Sequence, residues 1–418
     1  MSRLRNMSVG PILFRRARVF DGVTDGLRDC EVLVEAGVIR EVSDTPIVSP
    51  SATVIDLAGR TLMPGLIDLH IHAYASSMSA QAIDRAGEPY RTAHAIKMLG
   101  HALDCGFTTV RDIGGGDYPL WRAIEDGLVR APRFFYAGRA LSMTGGHGDF
   151  RSADQSSIHG YCSCGRSNSL CVIADGIDEC LKAAREELRR GAHCIKIMGS
   201  GGVASPTDPL WMNQYREDEI RAIVQECAER RTYVAAHCHP ASAIRRAVEY
   251  GVRCIEHGTL IDSATAALVA ERGAYIVPTL AIGVAMTELG AELGLSADSQ
   301  EKSDAANRGE MIGLQHMRDA GVKVGFGTDL LGASYVHQCR EFTLRREVFS
   351  AIEILRQATS VGAEILMQAG KLGCIAAGAH ADLIVVDGDP LKDIGLLAQD
   401  GARLDLIMRN GEIVKNQL

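Results

Sequence analysis

Two histidines in the first quarter of the chain have the spacing of paired metal ligands. His70 and His72 stand two residues apart in the segment DLHIH, which is predicted to be a β-strand. Alternate side chains of a strand project from the same face, so both imidazoles can reach one ion at about 2.0–2.1 Å. This pair alone is weak evidence, and a metal site requires further ligands from elsewhere in the chain.

A lysine in an apolar segment poses a separate chemical problem. Lys196 lies between Ile195 and Ile197 in CIKIMGSGG, a predicted strand that ends in glycines. A buried ammonium is costly unless an anion pairs with it or its charge is changed. The sequence therefore indicates a lysine that is either paired or altered.

Three further residues of metal-binding types follow apolar strands: His237 in VAAHCH, His257 in IEHG and Asp329 in GFGTDL. Any one of them could be an ordinary core or surface residue. In an α/β barrel, however, the reactive residues lie at the C-terminal ends of the strands, and each position fits that rule. Metal-binding types that converge from four strands predict a metal centre.

The elements that must position these residues alternate along the chain. Apolar strands are predicted at 62–72, 108–114, 133–141, 194–200, 232–239, 254–260, 274–280 and 322–329. Amphipathic helices are predicted between them, for example at 174–191, 216–231, 240–251 and 262–273. Eight strand–helix units in roughly 300 residues predict an α/β fold with a (β/α)8 barrel of the TIM type.

The two ends of the chain have a different pattern. Residues 10–60 and the C-terminal tail alternate apolar and polar positions between turn residues, which is typical of antiparallel strands. The pair Asn410-Gly411 marks a hairpin. We predict that residues 1–63 and 369–418 form one small β-sandwich domain, and that residues 64–368 form the barrel.

Composition excludes several classes of protein. The 418 residues are 46% hydrophobic and 23% charged, a composition that is typical of a globular protein. The net charge of −8 disfavours nucleic acid as a partner. A secretory signal and a membrane-spanning run are not found, so we expect a cytoplasmic protein without a membrane partner.

Most of the twelve cysteines are expected to be reduced and buried as small apolar residues. Cys162, Cys164 and Cys171 form the one sequence cluster, in a stretch rich in Ser and Gly. Their spacing does not match a structural zinc site, so an exposed loop with thiols is predicted. A metal or redox role for these three cysteines is the alternative.

The ordered motifs of the chain resemble a known superfamily. PGLIDLHIH, CIKIMGSGG, VAAHCHP, CIEHGT, GFGTD and GAHADLIVVDGDP together are similar to the amidohydrolase superfamily. Within it, they resemble the imidazolonepropionase-related branch, which contains metal-dependent prolidases, other Xaa-dipeptidases and ochratoxin-degrading amidohydrolases. The resemblance covers nearly the whole chain and implies an enzyme that hydrolyses C–N bonds.

The resemblance implies two divalent metal ions, most often zinc, bound by His70, His72, Lys196, His237, His257 and Asp329. The first two histidines and the aspartate would hold the more buried ion, and the two later histidines the more exposed one. Lys196 would bridge both as N-carboxylysine, and a carbamate paired with cations removes the problem of a buried ammonium. A metal-bridging hydroxide would attack the amide, with Asp329 as general base and then general acid.

Residues of the predicted loops complete the expected site. By resemblance, His147 in SMTGGHGD would be a catalytic residue that contacts the substrate and assists the developing oxyanion. An ordinary loop histidine is the alternative. Substrate contacts are also predicted for His239, Gly202, Val203 and Tyr335.

We therefore expect a binuclear zinc hydrolase that acts on dipeptides such as Xaa-Pro or on N-acyl amino acids such as ochratoxin. A cyclic-amide hydrolase similar to imidazolonepropionase and a mononuclear deaminase are alternatives, and the deaminase needs no lysine on the fourth strand. Lys196 as a Schiff-base nucleophile and a catalytically inactive binding protein are further alternatives. The resemblance also implies a homo-oligomer, such as an octamer.

Overall fold

The computed structural model describes residues 10–152, 169–292 and 294–418. Its strands, in chain order, are β1 (Ile12–Val19), β2 (Arg28–Glu35), β3 (Val38–Ser43), β4 (Thr53–Asp56), β5 (Thr61–Pro64), β6 (Leu66–Ile71), β7 (Phe107–Asp112), β8 (Arg133–Tyr136), β9 (Ala140–Ser142), β10 (Cys171–Ile173), β11 (Ile195–Met198), β12 (Val234–Pro240), β13 (Cys254–Leu260), β14 (Tyr275–Val277), β15 (Lys323–Val324), β16 (Leu383–Val386), β17 (Leu404–Arg409) and β18 (Glu412–Asn416).

The helices alternate with the strands in the middle of the chain. They are α1 (Ala80–Arg85), α2 (Glu88–Asp104), α3 (Tyr118–Glu125), α4 (Gly176–Arg189), α5 (Glu217–Glu229), α6 (Ala241–Glu249), α7 (Ser263–Glu271), α8 (Leu280–Leu289), α9 (Ala297–Asp319), α10 (Arg340–Arg345), α11 (Ala351–Gln357) and α12 (Ser360–Ile365). Among these helices, none combines the length and the apolar composition needed to cross a bilayer.

One sheet is built from both ends of the chain. Its order is β18-β17-β16-β5-β1-β2-β3, and β4 also pairs with β1. Most neighbours are antiparallel, as predicted, but β4 and β5 both run parallel to β1. Strands β4 and β5 both pair with the edge of β1 that faces away from β2, because after β3 the chain crosses to the other side of β1. The predicted hairpin is present, with φ of 53° at Asn410 and 78° at Gly411 between β17 and β18.

Two parallel sheets hold the middle of the chain. One has the order β10-β9-β11-β12-β13-β14-β15, and the other has the order β6-β7-β8. Backbone hydrogen bonds connect both edges of the three-stranded sheet to the larger sheet: Leu69 N donates to Phe326 O, and His193 N donates to Tyr136 O, each at 2.8 Å. The predicted mixture of parallel strands and intervening helices is confirmed.

The first, third and eighth predicted strands differ from the structure. The predicted strand 62–72 is divided into β5, in the sheet built from both chain ends, and β6, in the three-stranded sheet. The predicted strand 133–141 is divided into β8 and β9, which belong to different sheets. Gly138, with φ of 73°, interrupts the extended backbone between them. The predicted strand 322–329 is regular only in β15, and the short strand β10 was not predicted.

Strand β11 shows how the fold separates core from cavity. Ile195 and Ile197 are buried in the main apolar core, whereas Lys196 and Met198 line a cavity. This alternation is the two-residue period of a β-strand. The charged residue of the segment therefore faces the functional side of the sheet.

Candidate active site

All six predicted metal ligands line one cavity. The cavity lies beyond the C-terminal ends of the parallel strands, and its wall includes His70, His72, Lys196, His237, His257 and Asp329. Because parallel strands end at the same edge of a sheet, residues from five separate strand segments meet there.

His70, His72 and Asp329 form the tightest part of this group. One ligand atom from each lies within 4.8 Å of the others. Asp329 Oδ1 is 3.4 Å from Nε2 of His70 and 3.2 Å from Nε2 of His72. Two imidazole nitrogens and a carboxylate oxygen are a donor set suited to a divalent transition metal.

The two histidines are oriented through their other ring nitrogens. Nδ1 of His70 is 2.8 Å from Oε2 of Glu256, and Nδ1 of His72 is 2.9 Å from the carbonyl oxygen of Gly114. Both acceptors favour the tautomer that carries the proton on Nδ1 and leaves Nε2 free to bind a metal. The site therefore has the outer hydrogen bonds that a metal centre requires.

Glu256 is a functional residue that the sequence analysis missed. It is fully buried and also accepts a 2.7 Å hydrogen bond from Arg111 Nη2. Although burial opposes it, the charge of Arg111 and the hydrogen bond to His70 hold the pKa of Glu256 well below its usual range. A glutamate inside the apolar segment CIEHG is the same signal that drew attention to Lys196.

The backbone at Asp329 is unusual and is held in place. Its φ of 55° lies in the left-handed region, and its N–H donates to the carbonyl of His70 at 2.8 Å. Asp68 supports the same turn by accepting hydrogen bonds from Thr328 Oγ1 at 2.7 Å and Gln338 Nε2 at 2.8 Å. Burial raises the pKa of Asp68 to about 6. The two histidine rings lower the pKa of Asp329 against the effect of burial, which favours a carboxylate there.

Lys196 is only 2% exposed. Within the described ranges, its ammonium nitrogen has no hydrogen bond and no ion pair at contact distance. Burial lowers the pKa of Lys196, although the nearby carboxylates of Glu256 and Asp329 oppose this shift. A lowered pKa favours the neutral amine, which is the nucleophilic form.

His237 and His257 lie beside the first group but do not join it at ligand distance. Their ring centroids are 4.6 Å apart, and that of His257 is 4.8 Å from that of His70. Nδ1 of His257 is 2.8 Å from Thr279 Oγ1, and Nε2 of His237 is 3.3 Å from Gly201 O. Burial lowers the pKa of both rings, which favours the neutral form that binds metals.

His147 lies against the ring of His237, with the two centroids 4.2 Å apart. Its Nδ1 is 2.7 Å from Ser205 Oγ and 3.4 Å from Asp208 Oδ2. Gly202 was predicted to contact the substrate, but it is not among the residues that line the cavity. It lies under His147 instead, and a Cβ at Gly202 would come within 2.2 Å of His147 Cε1. The glycine thus provides the space that the His147 ring occupies.

The other predicted substrate contacts have different positions. His239 and Val203 line the cavity, and Nδ1 of His239 is 3.0 Å from Thr259 Oγ1. Burial lowers the pKa of His239 to about 3. Tyr335 belongs to the 3₁₀ helix Gly332–His337, and its ring packs against His94 of α2. It is therefore not among the residues that line the cavity.

A second carboxyl group in the cavity was also missed. Glu310 of α9 lines the wall together with apolar side chains such as Ile282 and Met286. Burial raises the pKa of Glu310 to about 8, and in the described part of the chain the group has no hydrogen-bond partner. A polar helix such as α9 gave no sign in the sequence that this one glutamate faces a cavity.

The structure confirms one prediction about the cysteines and contradicts another. The ten described cysteines are buried, as predicted for most of them. The prediction that Cys171 belongs to an exposed loop is wrong, because this residue lies in β10 and lines the cavity. Cys162 and Cys164 lie outside the described residues.

Comparisons with known proteins agree with this geometry. Residues 61–414 match the Amidohydrolase family. The chain is 31% identical over 370 residues to an ochratoxinase of Aspergillus niger, covering 85% of this chain and 75% of the relative.

Two solved structures are similar over nearly their whole length. A crystal structure of an amidohydrolase is 47% identical, with a TM-score of 0.95, and the match covers 98% of this chain and 100% of the other. A prolidase in complex with N-methylphosphonate-L-proline is 44% identical, with a TM-score of 0.94, covering 97% and 100%. Members of this family are generally metal-dependent, and the His70, His72 and Asp329 group can hold an ion. The chain belongs to the amidohydrolase family and is a hydrolase of C–N bonds.

Proposed function

We propose that the protein is a binuclear zinc hydrolase that cleaves an amide bond next to a carboxylate, in Xaa-Pro dipeptides or in N-acyl amino acids such as ochratoxin. The observation that carries the proposal is the buried Lys196, which lines the same cavity as the histidines and Asp329. Similarity to a prolidase and to an ochratoxinase supports both substrate classes.

Six side chains would hold the two ions: His70, His72, Lys196, His237, His257 and Asp329. Lys196 would become a ligand after its neutral amine attacks CO2, which forms a carbamate and releases one proton. When bound, the metal ions would polarise the amide carbonyl and make the nucleophilic water more acidic. A mononuclear deaminase does not require Lys196, so this residue favours the two-metal arrangement.

The chain itself would move the protons and stabilise charge. Asp329 would accept a proton from the nucleophilic water and then donate it to the leaving amine. His147, held at Nδ1 by Ser205 and Asp208, would present Nε2 to the developing oxyanion. His239 and Val203, which line the same cavity, would contact the substrate.

We also infer that the two parallel sheets form one (β/α)8 barrel, over residues 64–368. The backbone hydrogen bonds from Leu69 to Phe326 and from His193 to Tyr136 support this closure. Residues 1–63 and 369–418 would then form a separate β-sandwich domain, which the single sheet made from both chain ends supports.

A substrate panel tests the proposal. Zinc-loaded protein is incubated with Xaa-Pro dipeptides, N-acyl amino acids including ochratoxin, an imidazolone and an aminopurine, and product formation is followed. We expect hydrolysis within the first two groups and about two metal ions bound by the six active-site ligands of each chain. Turnover of only the imidazolone or the aminopurine would overturn the substrate class. One ion per chain at full activity, with an unmodified Lys196, would overturn the two-metal arrangement.

The metal requirement needs its own control. Removal of metal with a chelator should abolish hydrolysis, and addition of zinc should restore it. Activity that survives complete metal removal, or a borohydride-trapped adduct on Lys196, would instead support the Schiff-base alternative.

A further inference from the structure

A second group of metal-binding side chains lies outside the active-site cavity. One ligand atom each of Cys105, Cys339 and Asp400 lies within 4.8 Å of the others. Cys105 follows the last residue of α2, Cys339 precedes α10, and Asp400 lies between the 3₁₀ helix Ile394–Ala398 and β17. None of the three is among the residues that line the active-site cavity. Residues that are distant in sequence therefore converge at one point.

A fourth donor lies next to this group. His101 of α2 precedes Cys105 by four residues, and the Cys105 N–H donates to the His101 carbonyl at 3.0 Å, so both side chains lie on one helix face. Nε2 of His101 is 3.5 Å from Cys105 Sγ. Tetrahedral zinc, with bonds of about 2.3 Å to sulfur and about 2.0–2.1 Å to nitrogen, places such ligand atoms about 3.6 Å apart.

The backbone explains how Asp400 reaches the cysteines. Gly401 packs so closely on the end of α2 that a Cβ there would come within 2.1 Å of the Asp104 carbonyl oxygen. Asp400 itself has a φ of 48°, in the left-handed region that aspartate tolerates better than most residues. This close approach places the exposed Asp400 carboxylate near two buried thiols.

We propose that Cys105, Cys339 and Asp400 bind a structural zinc ion, and that His101, which lies beside Cys105 but outside the group of atoms within 4.8 Å of one another, becomes the fourth ligand through a movement of its ring. Two thiolates and an imidazole select a soft, tetrahedral metal over magnesium or calcium. Four protein ligands leave no position open for a substrate, so the ion would have a structural role rather than a catalytic one. It would connect α2, α10 and the segment that leads into the terminal sheet.

Cobalt substitution distinguishes this site from the catalytic one. The full-length protein is reduced with a phosphine, stripped of metal and loaded with Co²⁺, and its near-ultraviolet spectrum is recorded. Thiolate ligands produce a sulfur-to-cobalt charge-transfer band, whereas the six candidate ligands of the active site include no cysteine. We expect the band in the wild type. We expect its loss, with one metal equivalent per chain, in Cys105→Ser and Cys339→Ser.

Two further variants keep the test decisive if a cysteine variant fails to fold. Asp400→Asn changes an exposed residue, and asparagine tolerates the same left-handed backbone. It should weaken cobalt binding by at least about tenfold, because even substitution of a residue that only hydrogen-bonds to a metal ligand typically has an effect of that size. Cys227→Ser, which alters a buried thiol of α5, should leave the band unchanged. Each of these variants should retain hydrolysis by the metal-loaded protein.

Two results would overturn the proposal. One is a reduced wild type without the band, including the case in which Cys105 and Cys339 are isolated as a disulfide and bind no cobalt after reduction. The other is a band that persists in the double variant Cys105→Ser/Cys339→Ser, which would assign it to another thiol such as Cys171.

Discussion

At the scale of single residues, the active site depends on side chains that hold other side chains. Glu256 bridges Arg111 and His70, and it is fully buried between them. Arg111 also donates to the Leu69 carbonyl at 2.7 Å, which connects the bridge to β6. A buried charge is stabilised only when partners surround it, so this chain of contacts orients the ring of His70.

Lys196→Ala is expected to lose bound metal and hydrolytic activity together, because the bridging ligand is removed. The value of kcat/KM should fall by roughly a thousandfold or more, since a bound metal contributes several kcal/mol to catalysis. Metal per chain and hydrolysis rates are measured side by side. Lys182→Ala, on the exposed face of α4, is the matched control and should retain both. A Lys196→Ala protein with full metal and activity would falsify the assignment.

Glu310 should make stability depend on pH in the metal-free protein. Burial raises its pKa from the ordinary 4.5 to about 8 in the folded state. The folded state therefore holds the proton more tightly, so the favourable contribution is complete below pH 4.5 and is lost as the pH rises to about 8.

The uncharged variant Glu310→Gln should not show this loss. Relative to the wild type, its free energy of unfolding should increase between pH 5 and pH 9, as measured by urea denaturation. Glu301→Gln, at an exposed position of the same helix, should follow the wild-type profile. Parallel profiles for wild type and Glu310→Gln would contradict the raised pKa of this carboxyl group.

At the scale of elements, the loop after β11 determines where His147 lies. Gly202 donates its N–H to Asp208 at 3.0 Å, and Asp208 in turn lies beside Nδ1 of His147. The loop therefore both supports the ring from below and anchors one of its nitrogens.

Gly202→Ala tests this arrangement, because its Cβ would lie 2.2 Å from His147 Cε1 and would displace the ring. We expect kcat to fall by about 10²–10³-fold, the range for loss of one oxyanion donor, while metal content stays unchanged. Gly100→Ala in α2, where a Cβ meets no atom within 4 Å, is the control. An unchanged kcat would show that His147 has no part in the reaction.

At the scale of the whole molecule, one carboxylate connects the terminal sheet to the parallel strands. Asp382 is 5% exposed; it accepts hydrogen bonds from Nε and Nη2 of Arg133 in β8, each at 3.2 Å, and also from the backbone N–H of Asn410. Its backbone carbonyl accepts from Gly65 N at 2.8 Å. The two regions therefore share buried polar contacts.

Asp382→Asn should lower the free energy of unfolding by about 1–3 kcal/mol, because buried donors lose their charged acceptor. Urea denaturation is followed by circular dichroism and by fluorescence of Trp121 and Trp211. Both signals should shift together if the regions unfold as a unit. Asp387→Asn breaks a surface pair with Arg403 and should cost less than about 1 kcal/mol. A shift in only one signal would contradict cooperative unfolding.

Assembly into a homo-oligomer stays a prediction.

Much of the fold and of the site could be predicted because both depend on local patterns. The period of two in DLHIH and CIKIM assigns His70, His72 and Lys196 to one side of their strands, and apolar spacing predicted the ends of α4 to α7 within two residues. The interruption at Gly138 could not be predicted, because glycine is also compatible with a continuous strand. It depends on which sheet each half joins.

The sequence by itself determined the chemical types of the ligands, the strands that carry them and the family to which the chain belongs, since these follow from residue identity and short-range spacing. Only the tertiary structure decided that Glu256 supports His70, that Gly202 lies under His147, that Tyr335 packs away from the cavity, and that Cys105 meets Cys339 and Asp400. Each of these contacts joins residues far apart in the chain, and side-chain packing across separate elements leaves no periodic signal in the sequence.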